Sequence, residues 1–110
     1  MAMLDLAFQA LAEPRRREIL RVLADRELTA GEVAARFDVT RPAISQHLGV
    51  LRAAGLVDER RDGTRRRYRV RRDGLEPVRV WLDAFWREHL DALKAAAEAE
   101  HAAQGDRDRG

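Results

Sequence analysis

Residues 40–70 read TRPAISQHLGVLRAAGLVDERRDGTRRRYRV, and the rest of the chain is understood from this stretch outward. The spacing predicts a helix that opens at Thr40-Arg41-Pro42 and closes at Gly55. A strand from Leu56 to Arg61 follows, then a turn at Asp62-Gly63 and a second strand from Arg65 to Val70. The Thr40 hydroxyl can cap the helix, Pro42 fits the first turn, where a missing N–H costs nothing, and Gly55 supplies the left-handed residue that ends it. Ile44, Leu48 and Leu51 recur at the spacing of one buried stripe, which leaves Pro42, Ser45, Gln46 and Gly49 facing outward. Asp-Gly between two strand-like runs is a strong hairpin signal. From Arg60 to Arg72 eight arginines stand against one acid, Asp62. A helix with a small polar outer face, followed at once by an arginine-loaded hairpin, is what a winged helix-turn-helix needs: the helix reads bases in a groove and the hairpin, or wing, grips phosphate beside it.

Upstream, Met3 to Ala12 has Leu4, Ala7, Phe8 and Leu11 on one helical face. Pro14 starts a second helix running to about Ala24, with Ile19, Leu20, Val22 and Leu23 on its buried side. Arg15, Arg16 and Arg17 fall in the first turn of that helix, where the dipole disfavours positive charge; a nearby anion such as phosphate would relieve this, and so would plain solvent exposure. Thr29-Ala30-Gly31-Glu32 is a capping box for a third helix through Phe37. Asp38-Val39 then turns the chain into the Thr40 helix, so the two make a helix-turn-helix.

Downstream, Asp73-Gly74 and Pro77 introduce a last helix from roughly Leu75 to Ala102. Leu75, Val78, Leu82, Phe85, His89, Leu93 and Ala96 share one stripe, flanked by Trp81, Trp86 and Leu90. The apolar arc covers about half the circumference, wider than a surface helix of a small domain can bury alone, and points to a second chain. The expected seam is Leu4, Phe8 and Leu11 on the first helix with Val78, Leu82, Phe85, Trp86, His89 and Leu93 on the last. The fold class expected is mainly α with a small β-hairpin wing, in the order α-α-α-α-β-β-α. Residues 1–102 are expected to form one DNA-binding and dimerisation domain, and residues 103–110 a disordered polar tail.

Composition sets bounds. The chain has 110 residues, enough for one domain with a core of its own. It has no cysteine, which excludes disulfides, thiolate metal sites and a cysteine nucleophile. No apolar run approaches a membrane span and no signal-peptide pattern opens the chain, so a cytoplasmic protein with no membrane partner is expected. The formal net charge is only +2, and all 21 basic residues but Lys94 are arginine. Since GC-rich codons also enrich arginine, the positions of these residues weigh more than their number.

The chemistry converges on nucleic acid. On the Thr40 helix the expected DNA-contacting residues are Thr40, Arg41, Pro42, Ser45, Gln46 and His47. Gln46 suits adenine N6/N7, Arg41 suits guanine or a phosphate, and Ser45 serves either. His47, on the flank of the stripe, suits packing or phosphate as well as a base contact. On the wing the expected contacts are Arg60, Arg61, Thr64, Arg65, Arg66 and Arg67, because alternation along the second strand makes one face almost entirely basic. Tyr68 is expected to pack the hairpin onto the domain. Ser45 and His47 are two apart on a helix and point to different sides, so no nucleophile–base pair forms, no phosphate-binding glycine loop is present, and no enzyme is expected. The competing reading is a winged helix turned protein-interaction module, which the short polar reading face and the arginine wing disfavour.

Three blocks resemble the ArsR/SmtB family of bacterial transcriptional repressors: Leu11-Ala12-Glu13-Pro14-Arg15-Arg16, Arg41-Pro42-Ala43-Ile44-Ser45-Gln46-His47-Leu48, and Leu51-Arg52-Ala53-Ala54-Gly55-Leu56-Val57. The match runs from about Leu4 to Leu93. The resemblance implies a homodimer through the first and last helices, bound to an inverted-repeat operator and released by an inducer that the sequence does not identify. It also implies metal ligands that this chain lacks. Thr29 and Gly31 stand where the thiolate sensors carry a Cys-x-Cys pair, and the last helix offers only His89 and His101, about 120° apart around the helix. The chain looks instead like family members without a recognised metal site, so neither metal nor cofactor is expected.

Overall fold

The computed structural model describes residues 2–109, with side chains described for residues 2–105. Two compact units divide the chain, Met1–Val78 and Arg79–Gly110. The first contains α1 (Met3–Leu11), α2 (Pro14–Leu23), β1 (Leu28–Thr29), α3 (Ala30–Arg36), α4 (Arg41–Ala53), β2 (Val57–Asp62), β3 (Arg65–Val70) and a 3-10 turn (Arg72–Leu75). It also holds the start of α5 (Glu76–Arg109), most of which makes up the second unit.

The apolar stripes meet as their spacing requires. Ala7 and Ala10 of α1, Ile19 and Leu23 of α2, Val33 of α3, and Ile44, Leu48 and Leu51 of α4 close on Leu56 and Val57 in one cluster. Burial of each large aliphatic side chain contributes about 1.5–3 kcal/mol. That matters most for α3, whose seven residues are too few to persist alone. Thr29 Oγ1 accepts from the Glu32 N–H at 3.2 Å, while Glu32 Oε1 accepts from the Thr29 N–H at 3.0 Å, completing the expected capping box. Val39 N–H donates to the Phe37 carbonyl at 2.8 Å and turns the chain into α4.

The end of α4 fixes the wing. Gly55, at φ 74°, lets its own N–H reach Arg52 O at 2.9 Å and the Leu56 N–H reach Leu51 O at 2.9 Å, a complete Schellman closure. The return strand is fastened to the same point, since Arg71 N–H donates to Leu56 O at 2.8 Å. Gly74 then crosses so tightly that a Cβ there would stand 1.7 Å from the Gly55 carbonyl oxygen.

Four expectations are corrected. The sheet has three strands in the order β1-β3-β2, because Leu28 and Thr29 pair with Tyr68 and Arg67; two residues are too short to show an alternating pattern. The hairpin loop is Gly63-Thr64 rather than Asp62-Gly63. Asp62 pairs with Arg65, and Gly63 at φ 64° takes the first loop position, where a type II′ turn wants glycine. The last helix does not stop at Ala102 but continues to Arg109, so residues 103–109 of the expected disordered tail are helical; Gly110 lies outside the described residues. Ala102, Ala103 and Gln104 extend a run of good helix formers, and a lone Gly105 costs only about 1 kcal/mol. Finally, Val78, expected at a seam between chains, is 8% exposed within the core of its own unit.

Candidate nucleic-acid interface

The outer face of α4 is set by its cap and its buried stripe. Thr40 Oγ1 accepts from the Ala43 N–H at 3.3 Å, and Ile44, Leu48 and Leu51 pin the opposite side in the core. Arg41, Pro42, Ser45, Gln46 and Gly49 are therefore exposed. His47 is separated from them: it is half-buried, with Nδ1 3.9 Å from the Glu13 carboxylate that caps α2. Sequence reasoning missed Val50, which is 42% exposed one turn beyond Gln46 and gives the outer face an apolar continuation with Ala53. The four-residue spacing from Gln46 places Val50 on that face, and its apolar side chain carries no hydrogen-bonding signal to mark it.

The arginines at the start of α2 have a partner that the sequence did not reveal. Arg16 donates to the Ala10 and Gln9 carbonyls at 2.7 and 3.1 Å, and Arg17 donates to Leu11 O at 2.7 Å. These carbonyls end α1, so its negative dipole end offsets the cations. Arg15 pairs with Glu18 at 2.9 Å and lies over the Phe37 ring, 5.0 Å from its centroid.

On the hairpin, register sorts the charges into two faces. Val57 and Val70, Glu59 and Tyr68, and Arg61 and Arg66 are cross-strand pairs on one face. Asp58 and Arg69, Arg60 and Arg67, and Asp62 and Arg65 are the pairs on the other. Tyr68 packs on the core as expected, and burial raises its phenol pKa. The second face is not the unbroken basic surface that alternation along one strand predicts, because other segments supply acids to it. Glu27, ahead of β1, accepts from Arg60 at 2.9 Å and lies 3.7 Å from Arg69. Asp62 accepts from Arg67 at 2.8 Å, with Glu32 3.7 Å from the same guanidinium. The Arg60 and Arg67 hydrogen bonds hold the Glu27 and Asp62 carboxyls below their usual titration range; the Thr29 N–H does the same for Glu32. Arg66 sits 3.7 Å from Glu59, which also accepts from Arg52 at 3.1 Å. Among the described residues, Arg41, Arg61 and Arg65 have no carboxylate partner within ion-pair distance.

Helix and wing enclose a cleft of about 680 Å³. Arg41 and Ser45 line one wall and Thr64, Arg65 and Arg66 the other, with Thr29 to Glu32 and Tyr68 at its back. Of the expected contact residues, these five are brought together; Gln46 and His47 flank a shallower groove on the other side of α4, and Arg60, Arg61 and Arg67 stand outside the cleft. Among the described residues no group of three or more histidine or acidic side chains could hold a metal ion, and no helix is long and apolar enough to cross a membrane.

A helix-turn-helix domain model matches residues 11–60, the stretch that holds α2 to α4 and most of β2. The HTH-type transcriptional regulator Rv2034 of Mycobacterium tuberculosis is 45% identical over 96 residues, spanning 87% of this chain and 90% of that protein. An ArsR-like transcriptional regulator from Rhodococcus sp. RHA1 superimposes with a TM-score of 0.71 at 36% identity, covering 86% of this chain and 92% of that one. The chain belongs to the ArsR/SmtB family of winged helix-turn-helix regulators. It is a DNA-binding transcriptional regulator, and the transcriptional repressor SdpR of Bacillus subtilis is a further relative, 33% identical over 78 residues that span 71% of this chain and 87% of SdpR.

Proposed function

We propose that this ArsR-family chain is a repressor that binds an inverted-repeat operator as a homodimer, with α4 reading base edges and the wing tip holding phosphate. The observation that carries this reading is the cleft in which Arg41 and Ser45 of α4 face Thr64, Arg65 and Arg66 of the wing. A sugar-phosphate strand laid along it puts bases toward α4 and anions toward Arg41 and Arg65, the two arginines of the cleft that have no carboxylate within ion-pair distance among the described residues, whereas Arg66 has Glu59. Repression follows the name of SdpR and a simple mechanism, occupation of a promoter by a bound dimer.

The dimer is supported by surface chemistry. Every residue from Arg79 to Gly105 is exposed, and Trp81, Leu82, Phe85, Trp86, Leu90 and Leu93 present 39–64% of their areas. Trp81 stacks on Phe85 at 5.3 Å and Phe85 on His89 at 4.0 Å, while His89 Nδ1 meets the Phe85 carbonyl at 3.0 Å. An apolar aromatic surface of this extent calls for a covering partner. In this reading a second copy covers it, and Leu4, Phe8 and Leu11 of α1, each partly exposed in the first unit, also meet the partner.

Two-fold protein symmetry demands two-fold symmetry in the DNA, with half-site centres about one helical turn, ~34–36 Å, apart. Selection of bound sites from random duplexes tests this. The expected product is an imperfect inverted repeat that, placed over a promoter, lowers reporter output when the protein is present. Recovery of asymmetric single sites, or of no enriched sequence, would refute the reading.

A further inference from the structure

The outer face of the sheet holds carboxylates among arginines that the wing reading offers to phosphate. Glu27 lies between Arg60, at 2.8 Å, and Arg69, at 3.7 Å. Asp62 meets Arg67 at 2.8 Å, with Glu32 behind it at 3.7 Å. An oxyanion held between guanidinium groups is also how arginine takes phosphate. Glu27 is 33 residues from Arg60, so this pairing is made by the fold and not by chain neighbours. It is also solvent-facing: the Arg60 and Arg69 side chains are 50% and 55% exposed, within reach of a polyanion.

We propose that Glu27 and Asp62 are internal competitors for the wing's phosphate contacts and set how tightly the protein holds DNA of any sequence. The proposal rests on the wing reading above. In the free protein the two carboxylates hold Arg60, Arg69 and Arg67 extended and oriented. On DNA each of these arginines exchanges a carboxylate for a phosphate, so the contact gains only the difference between two ion pairs. Sequence-independent affinity is thereby held down in a chain whose wing is crowded with arginine, and the bases met by α4 decide a larger share of where it binds.

The test measures binding to a duplex of scrambled sequence across a salt series for wild type, Glu27→Gln and Asp62→Asn. Removing any acid raises affinity somewhat, so Asp25→Asn serves as the control. It makes the same charge change two residues from Glu27, where the carboxylate pairs only with Arg26, at 3.3 Å. Both substitutions keep side-chain shape, and thermal unfolding of each variant checks that the fold is retained. Glu27→Gln and Asp62→Asn are each expected to bind roughly threefold or more tighter than Asp25→Asn, with the salt slope steeper by about one per subunit. If either binds no tighter than the control, or more weakly than wild type, its carboxylate positions the arginines instead of competing with phosphate, and the proposal is overturned. Arg65→Ala in the same series separates the two ideas. A wild-type slope there defeats the wing reading, whereas a flattened slope with unresponsive carboxylate variants defeats only the competition.

Discussion

Gln46 and Arg65 are both exposed polar residues, yet they should fail differently. Gln46→Ala is expected to cost about 1–3 kcal/mol on the operator and to flatten preference at one base pair per half-site. Arg65→Ala should weaken operator and scrambled DNA about equally and lower the salt slope by about one for each phosphate that a subunit no longer neutralises. The difference arises because base edges vary with sequence and phosphates do not. Titrating both variants on both duplexes decides it, and an equal loss for Gln46→Ala on the two would mean that the reading face is misassigned. At the same scale, Gly74→Ala places a methyl group 1.7 Å from the Gly55 carbonyl. Destabilisation of about 3 kcal/mol or more is expected, read from the urea midpoint; a loss under about 1 kcal/mol would show that the crossing yields. Exposure of Gln46 and Ser45 was legible in the sequence because helical spacing fixes it. The need for glycine at 74 was not, because it comes from a backbone crossing between segments distant along the chain.

At the scale of elements, the helices were legible and the charges of the wing were not. The capping box at Thr29 and the Gly55 closure act within one turn, so local sequence carries them. The outer sheet face depends on Glu27 and Glu32 reaching across from other segments, and no periodicity along β3 could show that they neutralise it. Such pairing has a pH signature. The carboxyls of Glu27, Asp62 and Asp73 titrate below their ordinary values because Arg60, Arg67 and Arg71 donate to them, and the Glu32 carboxyl does so because the Thr29 N–H donates to it. The stability they contribute is therefore fully present above the ordinary carboxylate range near pH 4 and is lost as pH falls through the lowered values. Thermal midpoints should drop below about pH 4 at low salt and drop less in about 1 M salt, where surface pairs are screened. A midpoint flat down to pH 2 at low salt would count against a structural role for these pairs.

At the scale of the whole molecule, the proposed assembly stands on α5. Phe85→Asp should leave helical circular dichroism nearly unchanged while converting the species seen by sedimentation at micromolar concentration from dimer to monomer, with operator affinity reduced at least about tenfold. A wild-type protein that sediments as a monomer would remove the basis for that assembly. The over-wide apolar arc was legible because it is written along one helix; the shift of Val78 into its own core was not, since spacing alone does not say where a stripe changes partner. One joint then has a consequence for control. With the Arg71 N–H fastened to Leu56 O and Gly74 seated on Gly55, α4 and the return strand of the wing share a single anchor. In the proposed dimer, each subunit's grip on its half-site would behave like the jaw of a caliper, its shape fixed by this joint. An effector that leaves this joint intact has one adjustment available to it, the opening between the two jaws, and its influence should depend on the spacing between half-sites more than on the bases within them.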